Sequence, residues 1–169
     1  QVFNDAVREF MAKKRALANY FDAAHTEDIF DYIPPQKTNQ IFTPRDVVVR
    51  MVDSLEREDP GCFDDPTRTF ADLYVKSGLF LAEIAKRLYR SPALARAFPE
   101  SRARIAHIFR HQLYGLAPSR IIYLIVVAYL LGFDGAPAPE TCHIVLVKGL
   151  LQATKEGRLQ AVVDAAFAE

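Results

Sequence analysis

The chain has 169 residues, half of them apolar, with 21 basic and 21 acidic side chains. This length favours a single domain around one core, and the neutral balance excludes a global basic field while leaving room for a local basic face. Cys62 and Cys142 lack C-x-x-C spacing, so we expect reduced thiols, a cytoplasmic location and no bound metal. The longest apolar run, residues 121–131, is shorter than a bilayer span, so we expect no membrane contact.

The first part of the chain is predicted to be helical. Apolar residues at three- and four-residue spacings over residues 2–24 favour an amphipathic helix or helix pair. Consecutive prolines among polar residues at positions 31–40 then predict a linker or extended arm. We therefore predict an amino-terminal helical segment and linker over residues 1–38, followed by one larger unit over residues 39–169.

A helix start follows the linker. Thr43 is a capping residue, Pro44 suits the first helical position, and Asp46 lies three residues after the cap. Apolar residues at helical spacing continue downstream, so the pattern predicts a helix over residues 44–57. Taken alone, the Thr43-Pro44 pair indicates no more than a good helix start.

Predicted strands and helices alternate in the rest of the chain. An apolar run at residues 70–75 ends in a polar, glycine-containing turn, and a helical pattern starts at Leu79. Further strands are predicted over residues 112–117 and 142–147, and further helices over residues 102–111, 119–131 and 156–167. Alternation of this kind implies parallel βαβ units with right-handed crossovers. We therefore predict an α/β fold, a partial Rossmann-like parallel sheet of three strands in the order third, second, first, preceded by helices.

Three short motifs occur in order along this part of the chain. They are Asn39-Gln40-Ile41-Phe42-Thr43-Pro44, then residues 72–81 with their K-S-G-L-F-L ending, then Gln112-Leu113-Tyr114-Gly115. As an ordered set they resemble the opening motifs of adenine-specific DNA methyltransferases from bacterial restriction-modification systems, over roughly residues 39–147. The resemblance implies a class I methyltransferase fold, S-adenosylmethionine as the methyl donor, and adenine in DNA as the acceptor.

The resemblance also implies where the donor binds, which is across the carboxyl ends of the first strands. Phe42, Thr43 and Pro44 would border the methionine part of the donor. Gly115 and Leu116 would lie near its adenosine. The floor and turn of the site would be formed by a third group of matching residues, namely Asp72, Ser77, Gly78 and Phe80.

The chain departs from the family pattern at three positions of this site. Lys76 stands where the family has its first loop glycine, and Leu73 and Ala117 replace a proline and an acid. Lys76 is a solvated loop residue, a contact of the donor carboxylate, or a side chain that partly fills the site; the sequence leaves the three readings open. Asp72 taken alone could equally finish a strand and cap the next turn.

The family's catalytic signature, N-P-P-Y, is missing from the printed sequence. Residues 33–36, I-P-P-Q, lie before the first motif and lack both the asparagine and the aromatic residue. Because the chain starts with Gln1 and ends at Glu169, after the third strand and its helix, we expect the amino-terminal half of a methyltransferase, inactive alone. Its expected partners are the rest of the methyltransferase, DNA bound by the full-length protein, and a second copy paired through a bare sheet edge.

Two other functions remain open. One is a noncatalytic Rossmann-like interaction module, in which the apolar helix at residues 121–131 and the basic amino-terminal helix hold a partner subunit or DNA. The other is a helical regulatory domain, which requires the three proposed strands to be helical instead.

Two further side-chain groups carry weaker signals. His107 and His111 have the four-residue spacing used in zinc sites, but no H-E-x-x-H is present and we expect no metal. A set of cationic residues either touches phosphates or forms solvated helix faces: Lys13, Lys14, Arg15, Arg102, Arg104 and Arg110. Solvated faces are favoured, because no base-stacking aromatic residues are interleaved with these cations.

Overall fold

The computed structural model describes residue 21, residues 43–133 and residues 135–168. Within them, three parallel strands form one sheet with the second strand in the middle: β1 (Phe70–Asp72), β2 (Leu113–Ala117) and β3 (His143–Leu146). The predicted α/β class, the parallel pairing and the strand order are therefore confirmed. The predicted amino-terminal helix and linker lie outside the described residues, except for Phe21, whose ring packs against Tyr89 and Phe133.

Helices connect and cover these strands. In chain order they are α1 (Arg45–Glu58), α2 (Leu79–Arg90), α3 (Pro92–Ala97), α4 (Ser101–His107), α5 (Arg120–Leu130), α6 (Leu150–Lys155) and α7 (Leu159–Ala166). A π-helical segment (Ile108–Gln112) joins α4 to β2, and a short 3-10 turn (Pro139–Thr141) precedes β3. None of the described helices combines the length and the apolar character that a membrane crossing needs.

The first strand is shorter than the predicted run over residues 70–75. The Asp72 carboxylate accepts a hydrogen bond from the Tyr74 backbone N–H at 3.0 Å, and this local bond turns the chain out of the ladder. The Val75 N–H nevertheless donates to the Leu116 carbonyl oxygen at 2.9 Å. The loop after β1 therefore returns to the edge of β2 before α2 begins.

Two of the described helices, α3 and α5, begin with a side-chain cap. The Ser119 hydroxyl accepts from the Ile122 N–H and caps α5, and the Ser91 hydroxyl accepts from the Leu94 N–H and caps α3. Helix α1 differs, because it starts one residue later than predicted, with Pro44 as the capping position and no side-chain cap. Proline has no polar side-chain atom, so the orphan N–H groups of the first turn receive nothing from it.

The segment predicted as one helix over residues 102–111 changes geometry along its length. It begins as α4 and ends as the π-helical segment that leads into β2. The fully buried Gln112 closes this segment, and its side-chain amide donates to the carbonyl oxygens of Asp65 and Arg68 at 3.1 and 3.0 Å. The turn before β1 is thereby tied to the start of β2.

The carboxyl-terminal part contains two helices where one was predicted over residues 156–167. Helix α6 precedes that range, and α7 falls inside it. Gly149 and Gly157 separate these elements with φ values of +74° and +69°. Because other residues avoid this left-handed region, the two glycines explain both the sharp entry into α6 and its early end.

The core is built around α2, which is buried on nearly every side. Leu81 and Leu88 of this helix are fully buried, as are Val48 and Val52 of α1. At the surface between α1 and α2, the Arg87 guanidinium contacts three carboxylates, those of Asp53, Glu56 and Glu83. Apolar packing holds α1 against α2, and these partly buried ion pairs join the two helices at the rim of the core.

Candidate functional site

The loop between β1 and α2 brings together the central motif of the sequence. It runs from Asp72, the last residue of β1, to Gly78, which precedes α2. Because the strands are parallel, this loop lies at the same edge of the sheet as the ends of β2 and β3. Ligands of open parallel sheets bind at this carboxyl edge.

Asp72 is the one acid of this loop. Its side chain is half-buried, and burial raises the pKa of its carboxyl, although the Tyr74 N–H and the positive charge of Lys76 act in the opposite direction. A carboxylate removed from water in this way gains from a cationic partner. In the sheet register Asp72 lies beside Gly115, so the two residues face the same side of the sheet.

Lys76 is exposed and follows the fully buried Val75. Its ammonium acts electrostatically on Asp72, but forms no direct ion pair with a described residue. A positive and a negative group therefore lie on the same short loop, one at the surface and one half-buried. The role of Lys76 toward a ligand stays a prediction.

Ser77 and Gly78 form the turn into α2. The buried Ser77 hydroxyl accepts from the Leu79 N–H at 3.4 Å, which satisfies one of the free donors at the start of α2. Gly78 has φ +84°, a left-handed conformation that favours glycine. A Cβ at Gly78 would also lie 3.3 Å from the Tyr129 ring carbon Cδ1 on α5. Glycine is required here by the backbone and by the contact with α5 together.

Gly115 is surrounded by core side chains. A Cβ at this position would lie 2.9 Å from Val75 Cγ2 and 3.0 Å from both Ile144 Cδ1 and Leu81 Cδ1. Leu116, its neighbour, is fully buried. Close packing of the loop, α2 and β3 explains the glycine without a ligand, and the predicted adenosine contact of Gly115 and Leu116 stays a prediction.

The remaining predicted site residues lie at the two helix starts. Phe80, in the first turn of α2, is half-buried and packs against the core. Thr43 is half-buried and Pro44 exposed at the start of α1, while Phe42 lies outside the described residues. An open groove follows α1, but none of the predicted site residues lines it; the lining residues are Val47, Arg50, Met51, Asp53, Ser54, Glu56 and Arg57.

The histidines and cysteines have structural contacts. His107 Nε2 lies 2.8 Å from the Pro66 carbonyl oxygen, and its ring stacks on Phe98 with centroids 4.1 Å apart. Both cysteines are free, and burial raises the pKa of the Cys62 and Cys142 thiols. Across residues 43–133 and 135–168, no three histidine, cysteine or acidic side chains converge as metal ligands would.

Sequence reasoning missed two features around the sheet. Tyr129 closes against the turn at Gly78, and only the folding of α5 back onto the loop reveals this contact. The second feature is the extent of the arginine group of which the sequence analysis names Arg102, Arg104 and Arg110: residues 90–111 contain five arginines and one acid, Glu100. A count of charge by segment would have found it, because the neutral total hides the asymmetry.

Comparison with known proteins gives one informative similarity. Over 103 residues the chain is 29% identical to a protein of Mycoplasma pneumoniae (strain ATCC 29342 / M129 / Subtype 1) named an uncharacterized adenine-specific methylase. The match covers 61% of this chain and 24% of that protein, so the chain spans about a quarter of the relative's length. No family model matches the chain, and no solved structure is significantly similar to it. The similarity supports membership of a methyltransferase family.

Proposed function

We propose that this chain is the S-adenosylmethionine-binding half of an adenine-specific DNA methyltransferase of a restriction-modification system. The observation that carries the proposal is the half-buried Asp72 carboxyl at the carboxyl end of β1, on the same loop as the exposed Lys76. The similarity to a protein named as an adenine-specific methylase supports it independently.

The charges of the loop suit the amino-acid end of the donor. S-adenosylmethionine carries an ammonium and a carboxylate on one carbon, and a carboxylate with a nearby ammonium complements that pair. Asp72 would hold the donor ammonium, and Lys76 would face its carboxylate. Ser77 and Gly78 shape the turn, Thr43 and Pro44 with Phe42 border the methionine part, and Phe80 adds apolar surface.

When bound, the donor would supply an electrophilic methyl group on its sulfonium for in-line displacement by the adenine amine. The contribution of this chain would be to position the donor. It would bind the amino-acid end of the donor and thereby orient the sulfonium methyl group. The segment that would hold the adenine amine, N-P-P-Y, does not occur in the printed sequence. Methyl transfer by this chain alone is therefore not expected.

Donor binding is tested by isothermal titration of S-adenosylmethionine into the whole chain. We expect saturable binding that weakens at least about tenfold in Asp72→Ala, because removal of a charged hydrogen-bonding partner costs about 1.5–3 kcal/mol. Gly78→Ala should weaken binding similarly. Gly61→Ala is the matched control, since Gly61 has the same φ of +84° but no atom within 4 Å of its added Cβ.

The outcome that would contradict donor binding is equally definite. A folded wild-type chain that shows no saturable heat with S-adenosylmethionine would refute the proposal, as would equal losses in Gly78→Ala and Gly61→Ala. A methyl-transfer assay with and without a downstream segment containing N-P-P-Y tests the second half of the proposal. Activity from residues 1–169 alone would refute the assignment as an inactive half.

A noncatalytic interaction module is the second candidate function. It is favoured by the packed surroundings of Gly78 and Gly115, and by two exposed apolar residues of α5, Ile121 and Leu124, which are 66% and 54% exposed. Such a module would hold a partner subunit or DNA without binding the donor. Absence of donor binding together with stable capture of the remaining methyltransferase segment would select it.

Self-association through the edge of β1 is a separate proposal. Within the described residues β1 pairs with β2 on one side alone. An unpaired strand edge can pair with another chain, although β1 has three residues and its edge is correspondingly short. Sedimentation equilibrium at high protein concentration tests it, and a monomer throughout would exclude this dimer.

A further inference from the structure

Tyr74 is the one aromatic residue among the large exposed hydrophobic residues of the described chain, with 39% of its surface exposed. It lies in the loop after β1, two residues after Asp72 and two before Lys76. The ring therefore reaches the surface at the carboxyl edge of the sheet, where ligands of open parallel sheets bind. The donor contacts proposed above do not include this ring.

The Tyr74 ring is unoccupied within the described part of the chain. It forms no aromatic contact, cation–π contact or side-chain hydrogen bond with a described residue. Rings elsewhere are paired, as Tyr114 is with His143 at a centroid distance of 4.4 Å and Phe63 with Phe70 at 5.2 Å. Tyr74 is therefore available to a ligand, whereas those rings are not.

The backbone that carries this ring is held on both sides. The Tyr74 N–H donates to the Asp72 carboxylate at 3.0 Å. The next residue, Val75, is fully buried, and its N–H donates to the Leu116 carbonyl oxygen at 2.9 Å. A ring on a fixed backbone loses less conformational freedom on binding than a ring on a loose loop, so this position suits a ligand contact.

The charged groups of the carboxyl edge offer no anionic partner to a sulfonium. In the proposed site the Asp72 carboxylate holds the donor ammonium. Between each strand and the helix that follows it, the chain has two cations, Lys76 and Lys148, and no acid, and Arg120 opens α5. All three cations are exposed, and none forms an ion pair with a described residue. Because like charges repel, a sulfonium at this edge gains from a group that attracts cations and has no net charge.

An aromatic ring is such a group, since the negative faces of its quadrupole attract a cation within about 6 Å of the ring centroid. In S-adenosylmethionine, two methylene groups separate the sulfonium sulfur from the carbon that carries the ammonium. A donor held at Asp72 therefore has its sulfonium close to the same loop. Tyr74 is the exposed aromatic residue of that loop.

We propose that the Tyr74 ring covers the sulfonium of the bound donor and thereby makes the site prefer S-adenosylmethionine to S-adenosylhomocysteine, the demethylated product. This inference rests on the proposed function, because it concerns the same site. In methyl transfer the electron pair of the broken bond stays on sulfur, and the amine that gains the methyl group loses a proton. The sulfur becomes a neutral thioether, so the attraction of the ring ends with the reaction and the product is held less tightly.

Isothermal titration of each ligand into the whole chain tests this discrimination. We expect the wild type to bind S-adenosylmethionine at least about threefold tighter than S-adenosylhomocysteine, as a weak cation–π contact gives. Tyr74→Leu should weaken S-adenosylmethionine binding by at least about threefold and change S-adenosylhomocysteine binding by less than about twofold. The ratio of the two affinities is the quantity that reports the contact.

Aromatic replacements separate the face of the ring from its hydroxyl. Tyr74→Phe retains the ring and should keep the affinity ratio within about twofold of the wild type. Tyr74→Trp supplies the ring that binds cations best, so its ratio should be at least as large as that of the wild type. A merely structural role of the ring would change both affinities together and leave the ratio unchanged.

The matched control is Leu55→Ala on α1, because Leu55 is 42% exposed and lies outside the loop. It should leave both affinities within about twofold of the wild type, since substitutions at exposed positions away from a site have small effects. Tyr74 is exposed to a similar extent, so its variants are expected to fold. Circular dichroism and urea midpoints of each variant check this.

Four results would overturn the inference while donor binding itself persists. They are a wild type that binds S-adenosylmethionine no tighter than S-adenosylhomocysteine, an unchanged ratio in Tyr74→Leu, a ratio in Tyr74→Phe as low as in Tyr74→Leu, and the same fall of the ratio in Leu55→Ala. A folded wild type that binds neither ligand would instead refute the proposed function, and this inference with it. The two failures are therefore distinguishable.

Discussion

The two edges of the parallel sheet carry different chemistry. At the carboxyl edge, the loop after β1 has one half-buried acid, Asp72, and one exposed cation, Lys76, beside tightly packed glycines. At the amino edge, the segment that enters β2, residues 90–111, has four exposed arginines and no large exposed hydrophobic residue. The first edge suits a small ligand with two opposite charges, whereas the segment at the second edge has an excess of positive charge.

This contrast follows from the parallel topology. Every strand begins at one edge and ends at the other, so the loops entering strands and the loops leaving them are collected on opposite sides. The segments before β2 and β3 therefore meet at one edge, where Arg110 contacts Thr141 and Arg102 lies against Gly135. Residues 90–111 contribute the arginines of this edge, whereas residues 132–141 contain two acids and no cation. A neutral chain can thus have strongly charged regions.

The largest expected effect concerns the core beneath the amino edge. Phe109 is 1% exposed and packs edge-on against the Phe21 ring, with centroids 6.4 Å apart. We expect Phe109→Ala to lower the free energy of unfolding by about 3–5 kcal/mol, measured by urea denaturation. Tyr74→Ala at the carboxyl edge, where the ring is 39% exposed, should cost much less. Equal costs for the two variants would contradict the difference in burial between the two rings.

A smaller loss is expected from filling the space at Gly115. Gly115→Val should lower the free energy of unfolding by about 1–3 kcal/mol, because its side chain meets Val75, Leu81 and Ile144 in the packed core. Ala71→Val adds the same kind of bulk at an exposed position of β1 and should change stability by about 0.5 kcal/mol or less. A Gly115→Val protein as stable as the wild type would instead indicate free space for a ligand at this position.

The smallest effect is a pH-dependent one at Asp72. Burial raises the pKa of this carboxyl above its ordinary value of 3.8, so its protonated form is favoured in the folded state. The protonated Asp72 carboxyl therefore contributes its full stabilisation when the pH is below the ordinary pKa of the group. This contribution is lost as the pH rises through the higher pKa of the folded state. Asp72→Asn should raise stability slightly at about pH 7 and leave it unchanged at about pH 3, measured by urea midpoints.

The Asp72→Asn variant also sharpens the functional comparison. The asparagine side chain would retain an oxygen acceptor for the Tyr74 N–H, so the turn should keep its shape. It would lack the negative charge proposed to hold the donor ammonium. A gain in stability with a loss of donor binding is expected, and a gain in both would remove Asp72 from the site.

Local chemistry made much of the fold predictable. The helix predicted over residues 119–131 begins where the Ser119 hydroxyl caps α5, and Pro92 after Ser91 marks the break between α2 and α3. The end of β1 was not predictable in the same way. The Asp72 carboxylate competes for the Tyr74 N–H, and a short apolar run contains no signal for where that competition succeeds.

The position of the candidate site along the chain was predictable from the sequence. The side chains that pack around it were not. The motif at residues 76–78 marks a turn between strand and helix, and the structure has that turn. That α5 places Tyr129 against Gly78, and that Leu81 and Ile144 close over Gly115, depends on contacts between distant segments. No spacing along the chain encodes those contacts.

The amino-acid sequence by itself determined the α/β class, the parallel strand order and the position of the loop that carries Asp72 and Lys76. These follow from periodicity, capping residues and turn chemistry, which act over a few residues. Only the tertiary structure decided that the glycines of the motif are packed by side chains and that the loop before β3 lies against Arg102 and Arg110. Burial and surface charge depend on which segments meet, and that is fixed when the sheet and its helices assemble.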